Sequence, residues 1–216
     1  MPGMVFVTVG TTKFDALIQA VDTTDVAEAL VSKGYKKLVI QKGAGNYQVQ
    51  MLVPAGSRSH QLSNGLQVQV FEFAPSIADY MKAADLIISH AGSGSIFEAL
   101  RLGKPLVAVP NAILMDNHQA ELAEHLARLH HILAARPETL AHSLQHLSIA
   151  GLKPYESGNA EGIIRHIDSL LSARLSRKMP LWAIAFVIAV FCVCFIYLAL
   201  RLSGTSKQGD DKVLFV

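Results

Sequence analysis

The residues with chemistry to offer are concentrated in one stretch, Asp85-Leu86-Ile87-Ile88-Ser89-His90-Ala91-Gly92-Ser93-Gly94-Ser95-Ile96-Phe97-Glu98. The apolar run Leu86 to Ile88 reads as a buried strand, Gly92 and Gly94 make a tight turn, and Ser95 opens an apolar-periodic segment that reads as a helix. Strand, turn and helix start together present free backbone N–H groups and the positive end of a helix dipole, a site for an anion and most often for phosphate. The Glu98 carboxylate, one turn into the helix, stands where it can accept hydrogen bonds from ribose hydroxyls beside a phosphate. The stretch therefore reads as a nucleotide-diphosphate site; the plainer alternative is a simple strand-to-helix turn with Glu98 solvated. Phe97 occupies the place of the third glycine of a dinucleotide fingerprint, and no Gly-Lys-Ser/Thr of a P-loop occurs, which disfavours a nicotinamide cofactor and a P-loop NTPase. Ser89-His90 suggests a nucleophile and base, yet the outer glycine spacing of a hydrolase elbow is wrong.

Two other stretches share the pattern. Val5 to Val9 runs into Gly10-Thr11-Thr12 and then into Phe14, Leu17, Ile18 and Val21 at helical spacing. The Thr11 and Thr12 hydroxyls and N–H groups suit either a phosphate or a helix cap. Asp116-Asn117-His118-Gln119 brings carboxylate, amide and imidazole groups to a helix start, suited to sugar hydroxyls or to a plain N-cap. His125, His130, His131, His142 and His146 lack an HExxH pattern or a carboxylate at ligand spacing, so they read as helix-surface residues and no metal is expected.

Positioning these groups requires a sheet. Short strands at Leu38 to Ile40, Gly65 to Phe73, Leu106 to Pro110 and Ile132 to Ala134 alternate with helices at Ile77 to Ala84 and from Asn117, the latter with Leu122, Leu126 and Leu129 on its apolar face. Gly43 to about Asn64 reads as a loop, and Pro137 sits where a further helix begins. The pattern predicts an α/β fold, a doubly wound parallel sheet that binds ligands at the carboxyl ends of its strands. The chain has 216 residues, a net charge of +2, 51% hydrophobic residues and 17% charged residues, and the apolar excess lies in Leu181 to Leu200, which has no charge at all. At about 1.5 Å per residue such a run crosses a hydrocarbon core of about 30 Å, so one C-terminal transmembrane helix is expected. The expected layout is a ligand-binding domain over residues 1–175, a basic juxtamembrane linker over 176–180, the span over 181–200 and a short polar tail over 201–216. No signal peptide precedes Met4 to Val9, and the slight basic excess before the span, Arg165, Arg174, Arg177 and Lys178, favours a cytosolic domain. Both cysteines, Cys192 and Cys194, lie within the span, and their absence elsewhere suits a reducing compartment.

The segments Phe6 to Thr12, Asp85 to Ser95, Glu98, Gly103-Lys104-Pro105-Leu106 and Asn117-His118-Gln119 closely resemble a family, over about Met4 to Leu170. They are similar to the catalytic subunits of the UDP-N-acetylglucosamine transferases that add the second sugar to dolichol-linked oligosaccharide. Those subunits are similar in turn to the donor-binding half of the bacterial GT-B enzymes of glycosyltransferase family 28. The resemblance implies a Rossmann-like half of a GT-B glycosyltransferase that inverts the anomeric centre and uses no cofactor and no nucleic acid. It implies that Glu98 binds the ribose, that the Gly10 to Thr12 and Gly92, Ser93, Gly94, Ser95 turns flank the diphosphate, and that backbone near Phe73 and Ala74 meets uracil. Asn117, His118 and Gln119 would meet the sugar. His118 and His90 are the candidate catalytic residues within the chain, with Asp15 as a further candidate base. The implied partners are UDP-N-acetylglucosamine, a dolichol-linked acceptor and a membrane-bound subunit that supplies the acceptor half as a heterodimer. The implied place is the endoplasmic reticulum membrane, with the catalytic domain facing the cytosol. Gly162 to Arg174 carries an apolar stripe suited either to that partner or to the chain's own sheet. The competing expectation is a non-catalytic, tail-anchored scaffold with a nucleotide-sugar-binding fold.

Overall fold

The computed structural model describes residues 3–111, 118–156, 158, 165 and 166, with only the backbone of His118 among them. The chain divides into two compact units, Met1–Ser157 and Gly158–Val216, and the elements that follow all belong to the first. The expected linker, the Leu181 to Leu200 span, the tail and the Gly162 to Arg174 stripe lie outside the described residues, apart from Arg165 and His166. Among the described residues no helix is long and apolar enough to cross a membrane.

In chain order the elements are β1 (Met4–Thr8), α1 (Asp15–Val21), α2 (Thr24–Ser32), β2 (Lys37–Gln41), β3 (Ser59–Gln61), β4 (Gln67–Phe71), α3 (Ala78–Ala83), β5 (Leu86–His90), α4 (Ser93–Arg101), β6 (Leu106–Val109), α5 (His118–Arg128), β7 (Leu133–Ala134) and α6 (Leu140–Gln145). A 3-10 turn over Pro137–Thr139 leads into α6, with the proline at its first position as expected. The strands form one sheet in the order β3-β4-β2-β1-β5-β6-β7, parallel throughout except for β3. With β3 set aside, this is the doubly wound order, and the direction of winding reverses between β1 and β5.

Alternation along the strands divides the core between the two faces. Val5, Val7, Leu38, Ile40, Leu86 and Ile88 pack with Leu17, Ile18, Val26 and Leu30 of α1 and α2 and with Leu140 and Leu144 of α6. Phe6, Val39, Ile87, Leu106 and Ala108 pack on the other face with Met81, Ile96, Ala99, Leu100, Ala123 and Leu126 of α3, α4 and α5. Tyr80 of α3 stacks on Phe6 at 5.4 Å and on Phe71 at 4.9 Å, tying that helix to β1 and β4.

Four details depart from the sequence expectations. α2 fills a stretch without an assignment, started by Thr23, whose hydroxyl accepts from the Val26 N–H. β3 lies within the expected Gly43 to Asn64 loop; its polar Ser59-His60-Gln61 shows no alternation and pairs only because β4 presents an open edge beside it. α4 begins at Ser93 rather than Ser95, with Gly92 as its N-cap. Leu129 falls beyond the end of α5 and is 45% exposed, so the buried stripe of that helix is Ala123 and Leu126, with Leu122 partly buried beside them.

Candidate functional site

The site is built at the carboxyl ends of β1 and β5, where the sheet reverses. β1 ends in buried Thr8, and Gly10 turns the chain with a φ of 62°, a conformation open to glycine at little cost. Gln41, buried at the end of β2, holds that turn. Its carboxamide nitrogen donates to the Gly10 carbonyl at 2.7 Å and to the Glu72 carbonyl at 2.9 Å, while its oxygen accepts from the Thr8 hydroxyl and the Gly10 N–H. The Gly10 N–H is therefore turned inward, and Thr11 is left exposed at the rim. Thr12 closes the turn by donating its hydroxyl to the Val9 carbonyl at 2.7 Å. Neither threonine caps α1, whose N-cap is Phe14 with no side-chain hydrogen bond. This removes the capping alternative for the pair.

On the neighbouring strand, His90 ends β5 and Gly92 starts α4 with no side-chain cap. The first intrahelical bond runs from the Ile96 N–H to the Gly92 carbonyl at 3.0 Å, so the amides of Ser93, Gly94 and Ser95 precede it. These are the orphan donors of a helix start, and among the described residues no serine or aspartate side chain answers them. Ser93 and Gly94 are exposed and Ser95 is half-buried. A methyl group on Gly94 would meet no atom of the described residues within 4 Å, so among them the space above the turn is open. Glu98 is half-buried on α4, three residues after Ser95 and so on the same side of the helix as the turn. The earlier helix start places Glu98 deeper in the helix without moving it off that face.

Between the two turns lies His90. Its side chain is buried at 8% exposure, and a Cβ added to Gly10 or Gly92 would stand 2.8 Å from the ring Cε1 or 2.5 Å from Nε2. The Thr8 carbonyl accepts a hydrogen bond from the ring, and Nδ1 lies 3.5 Å from the Ser89 hydroxyl. Burial pushes the imidazole below its ordinary value and outweighs the opposing pull of the Thr8 carbonyl.

The other expected residues divide. Phe73 is 55% exposed and Ala74 half-buried, just after β4, whose end is tied to the Gly10 turn through Gln41. Gln119 lies at the start of α5 in a separate cavity of about 730 Å³ beyond the ends of β6 and β7, lined by Phe14, Asn111, Glu124 and Arg136. Its carboxamide oxygen is buried and has no hydrogen-bond partner among the described residues. Asn117 and the side chain of His118 lie outside the described residues. Asp15 faces elsewhere: its carboxylate accepts from the Asn46 and Tyr47 N–H groups at 3.2 and 3.0 Å. Among the described residues no three His, Cys, Asp or Glu side chains are grouped to hold a metal.

Sequence reasoning missed Gln41 and Asp22. Asp22 is 1% exposed and accepts from the Tyr47 hydroxyl and from the N–H groups of Gln50, Met51 and Leu52, so it pins the long loop after β2. The signal for Gln41 was present as one polar residue closing an apolar strand run.

The domain model of the glycosyltransferase family 28 C-terminal domain matches residues 4–170. The chain is 41% identical over 146 residues to the human UDP-N-acetylglucosamine transferase subunit ALG13, covering 68% of this chain and 12% of that protein. It is 32% identical over 192 residues to the Candida glabrata protein of the same name, covering 76% of this chain and 97% of that one. Its match thus spans about an eighth of the human relative and nearly all of the yeast one. A solution structure of ALG13 is 28% identical, covers 76% of this chain and 93% of its own, and superposes with a TM-score of 0.54. An uncapped helix start at the sheet's reversal point, with a carboxylate one turn on, is thus seen in a chain that belongs to glycosyltransferase family 28 through its C-terminal domain.

Proposed function

We propose that this chain is the donor-binding subunit of an inverting transferase that moves N-acetylglucosamine from UDP-N-acetylglucosamine to N-acetylglucosaminyl-diphosphodolichol. The observation that carries the reading is the N-terminus of α4, uncapped and open to solvent among the described residues, with Glu98 on the same side. The acceptor hydroxyl attacks the anomeric carbon, the bond to the β-phosphate oxygen breaks, and UDP leaves with the bonding electrons. Negative charge grows on the leaving diphosphate, where the free amides of Ser93 to Ser95 and the helix dipole stabilise it. Glu98 accepts from the ribose hydroxyls, backbone at Phe73 and Ala74 meets the base, and the orphaned Gln119 oxygen receives a sugar N–H or O–H. The acceptor proton passes to a base, His118 or a group of the partner subunit. That partner supplies the acceptor half, and the apolar Leu181 to Leu200 run holds the chain at the endoplasmic reticulum membrane with the catalytic unit toward the cytosol. The names of the relatives, each a UDP-N-acetylglucosamine transferase subunit, agree with this reading.

The test is transfer of labelled N-acetylglucosamine from its UDP donor to a short-chain acceptor lipid, by the membrane-embedded chain with and without a co-expressed acceptor-half subunit. Transfer only with the second subunit is expected. UDP binding without transfer in either case would instead mark the chain as a scaffold. Glu98→Ala is expected to weaken UDP binding by about tenfold, the worth of one hydrogen bond to a charged group, with an unchanged melting temperature.

A further inference from the structure

The imidazole of His90 makes its contacts with backbone and with Ser89, and its Cε1–Nε2 edge lies against both glycine turns. Those turns leave adjacent parallel strands, paired at Thr8↔Ser89, and diverge above that rung. The ring fills the space they open. Any side chain on Gly10 or Gly92 would collide with it, so the absence of Cβ atoms at both positions is what lets the three pieces close together. The ring's opening toward solvent is slight, and the Thr8 carbonyl already takes a ring hydrogen bond, which is poor geometry for removing a proton from an incoming hydroxyl.

We propose that His90 is a positioning residue: its imidazole sets the separation between the Gly10 to Thr12 turn and the Gly92 to Ser95 helix start, so that both engage one diphosphate. This rests on the donor reading above and assigns the residue a role in binding rather than in proton transfer. A spacer acts only on ligands that touch both turns at once. UDP does so, while uridine monophosphate, with one phosphate, needs only one of them. The two ligands therefore separate a spacer from a base, which would affect neither, and from a residue needed only for folding, which would affect both.

The experiment is calorimetric titration of the full-length chain with UDP and with uridine monophosphate, on wild type, His90→Ala, His90→Gln, Gly92→Ala and the His90→Ala/Gly92→Ala double variant. His90→Ala is expected to weaken UDP by about tenfold or more and the monophosphate by no more than about threefold. His90→Gln, which fills much of the volume and can still donate to the Thr8 carbonyl but cannot act as a base, is expected to recover most of the UDP affinity. Gly92→Ala is expected to weaken UDP in the wild-type background and much less once the ring is removed, the coupling of two groups in direct contact. Unchanged UDP affinity in His90→Ala, equal losses for both nucleotides, or a glutamine variant as weak as the alanine one would each overturn the proposal. Should His90→Ala fail to fold, the glutamine and Gly92→Ala variants decide the matter alone. Wild-type chain that binds neither nucleotide would defeat the donor reading itself, a result visible before any variant is measured.

Discussion

Two glycines in the Gly92-Ser93-Gly94 turn have opposite reasons for being glycine. Gly92 faces the His90 ring, and a methyl group there would stand 2.5 Å from Nε2. Gly94 faces nothing within 4 Å among the described residues, so among them its small size is used only if a ligand comes down on the turn. Gly92→Ala is therefore expected to lower stability by about 1–3 kcal/mol, the usual cost of overpacking, which chemical denaturation would register. Gly94→Ala is expected to leave stability unchanged, or slightly raised because the residue sits in a helix, while UDP binding falls. A destabilised Gly94→Ala variant would mean that the space above the turn is closed. His90 adds a pH signature at the same scale. Its folded value is depressed, so between that value and about 6.5 the unfolded chain binds more protons than the native one, and stability declines as the pH falls through about 6.5. His90→Gln removes this contribution, so the difference in stability between wild type and variant is expected to shift in the variant's favour from pH 7.5 to pH 5.5. A difference that does not change with pH would show the imidazole to be solvated.

The loop after β2 leaves the sheet beside the Gly10 turn, where a Cβ on Gly43 would stand 2.7 Å from the Thr12 carbonyl. Two carboxylates of α1 and its C-terminal end hold it: Asp15 accepts from Asn46 and Tyr47, and Asp22 accepts from Tyr47, Gln50, Met51 and Leu52. The loop in turn buries Leu52 and Val53 and leaves Met51 62% exposed. Asp22→Ala removes the acceptor of three loop N–H groups, of which that of Leu52 is buried and those of Gln50 and Met51 are nearer solvent, so a loss of about 1–3 kcal/mol by thermal or chemical denaturation is expected. A loss within about 0.5 kcal/mol would mean that the loop finds other partners or water. Burial and the Asp22 carboxylate push the Tyr47 phenol up to about 12. The native state keeps that proton while the unfolded chain loses it above about 10, so this contribution to stability declines between those values. None of this was legible in the sequence, because Asp22 and Tyr47 are far apart in the chain and neither lies in a periodic pattern. The strands were legible, since Val5 to Val9, Leu38 to Ile40 and Leu86 to Ile88 are buried on both sides and so apolar throughout. β3 was not, because an edge strand with both faces exposed carries no hydrophobic pattern. The glycine turns were found from spacing alone, whereas the side chains that hold them, Thr8 and Gln41, were hidden at strand ends where one polar residue looks like the start of a loop.

At the scale of the whole molecule, the two core clusters and all seven strands belong to the unit Met1–Ser157, and the family's domain extends to residue 170. The apolar run Leu181 to Leu200 lies beyond both. Nothing in the sheet, the glycine turns or the Gln41 clamp draws on residues past Ser157 for its hydrogen bonds among those described. On the proposed reading, anchoring through the apolar run and donor binding therefore draw on separate parts of the chain. A variant ending at residue 180 is expected to bind UDP as the full chain does, to within about twofold, and to unfold at the same temperature. Its transfer to a long-chain acceptor lipid in vesicles is expected to fall by about tenfold or more, because the catalytic unit loses the effective concentration that a tether to the same surface provides. A soluble short-chain acceptor removes that advantage, so with it the two forms should work at similar rates. Equal loss on both acceptors would show that the residues past 180 contribute to the catalytic unit or its partner contact rather than to location. Equal activity of both forms on vesicles would show that a partner subunit alone brings the domain to the lipid, leaving the apolar run some other role.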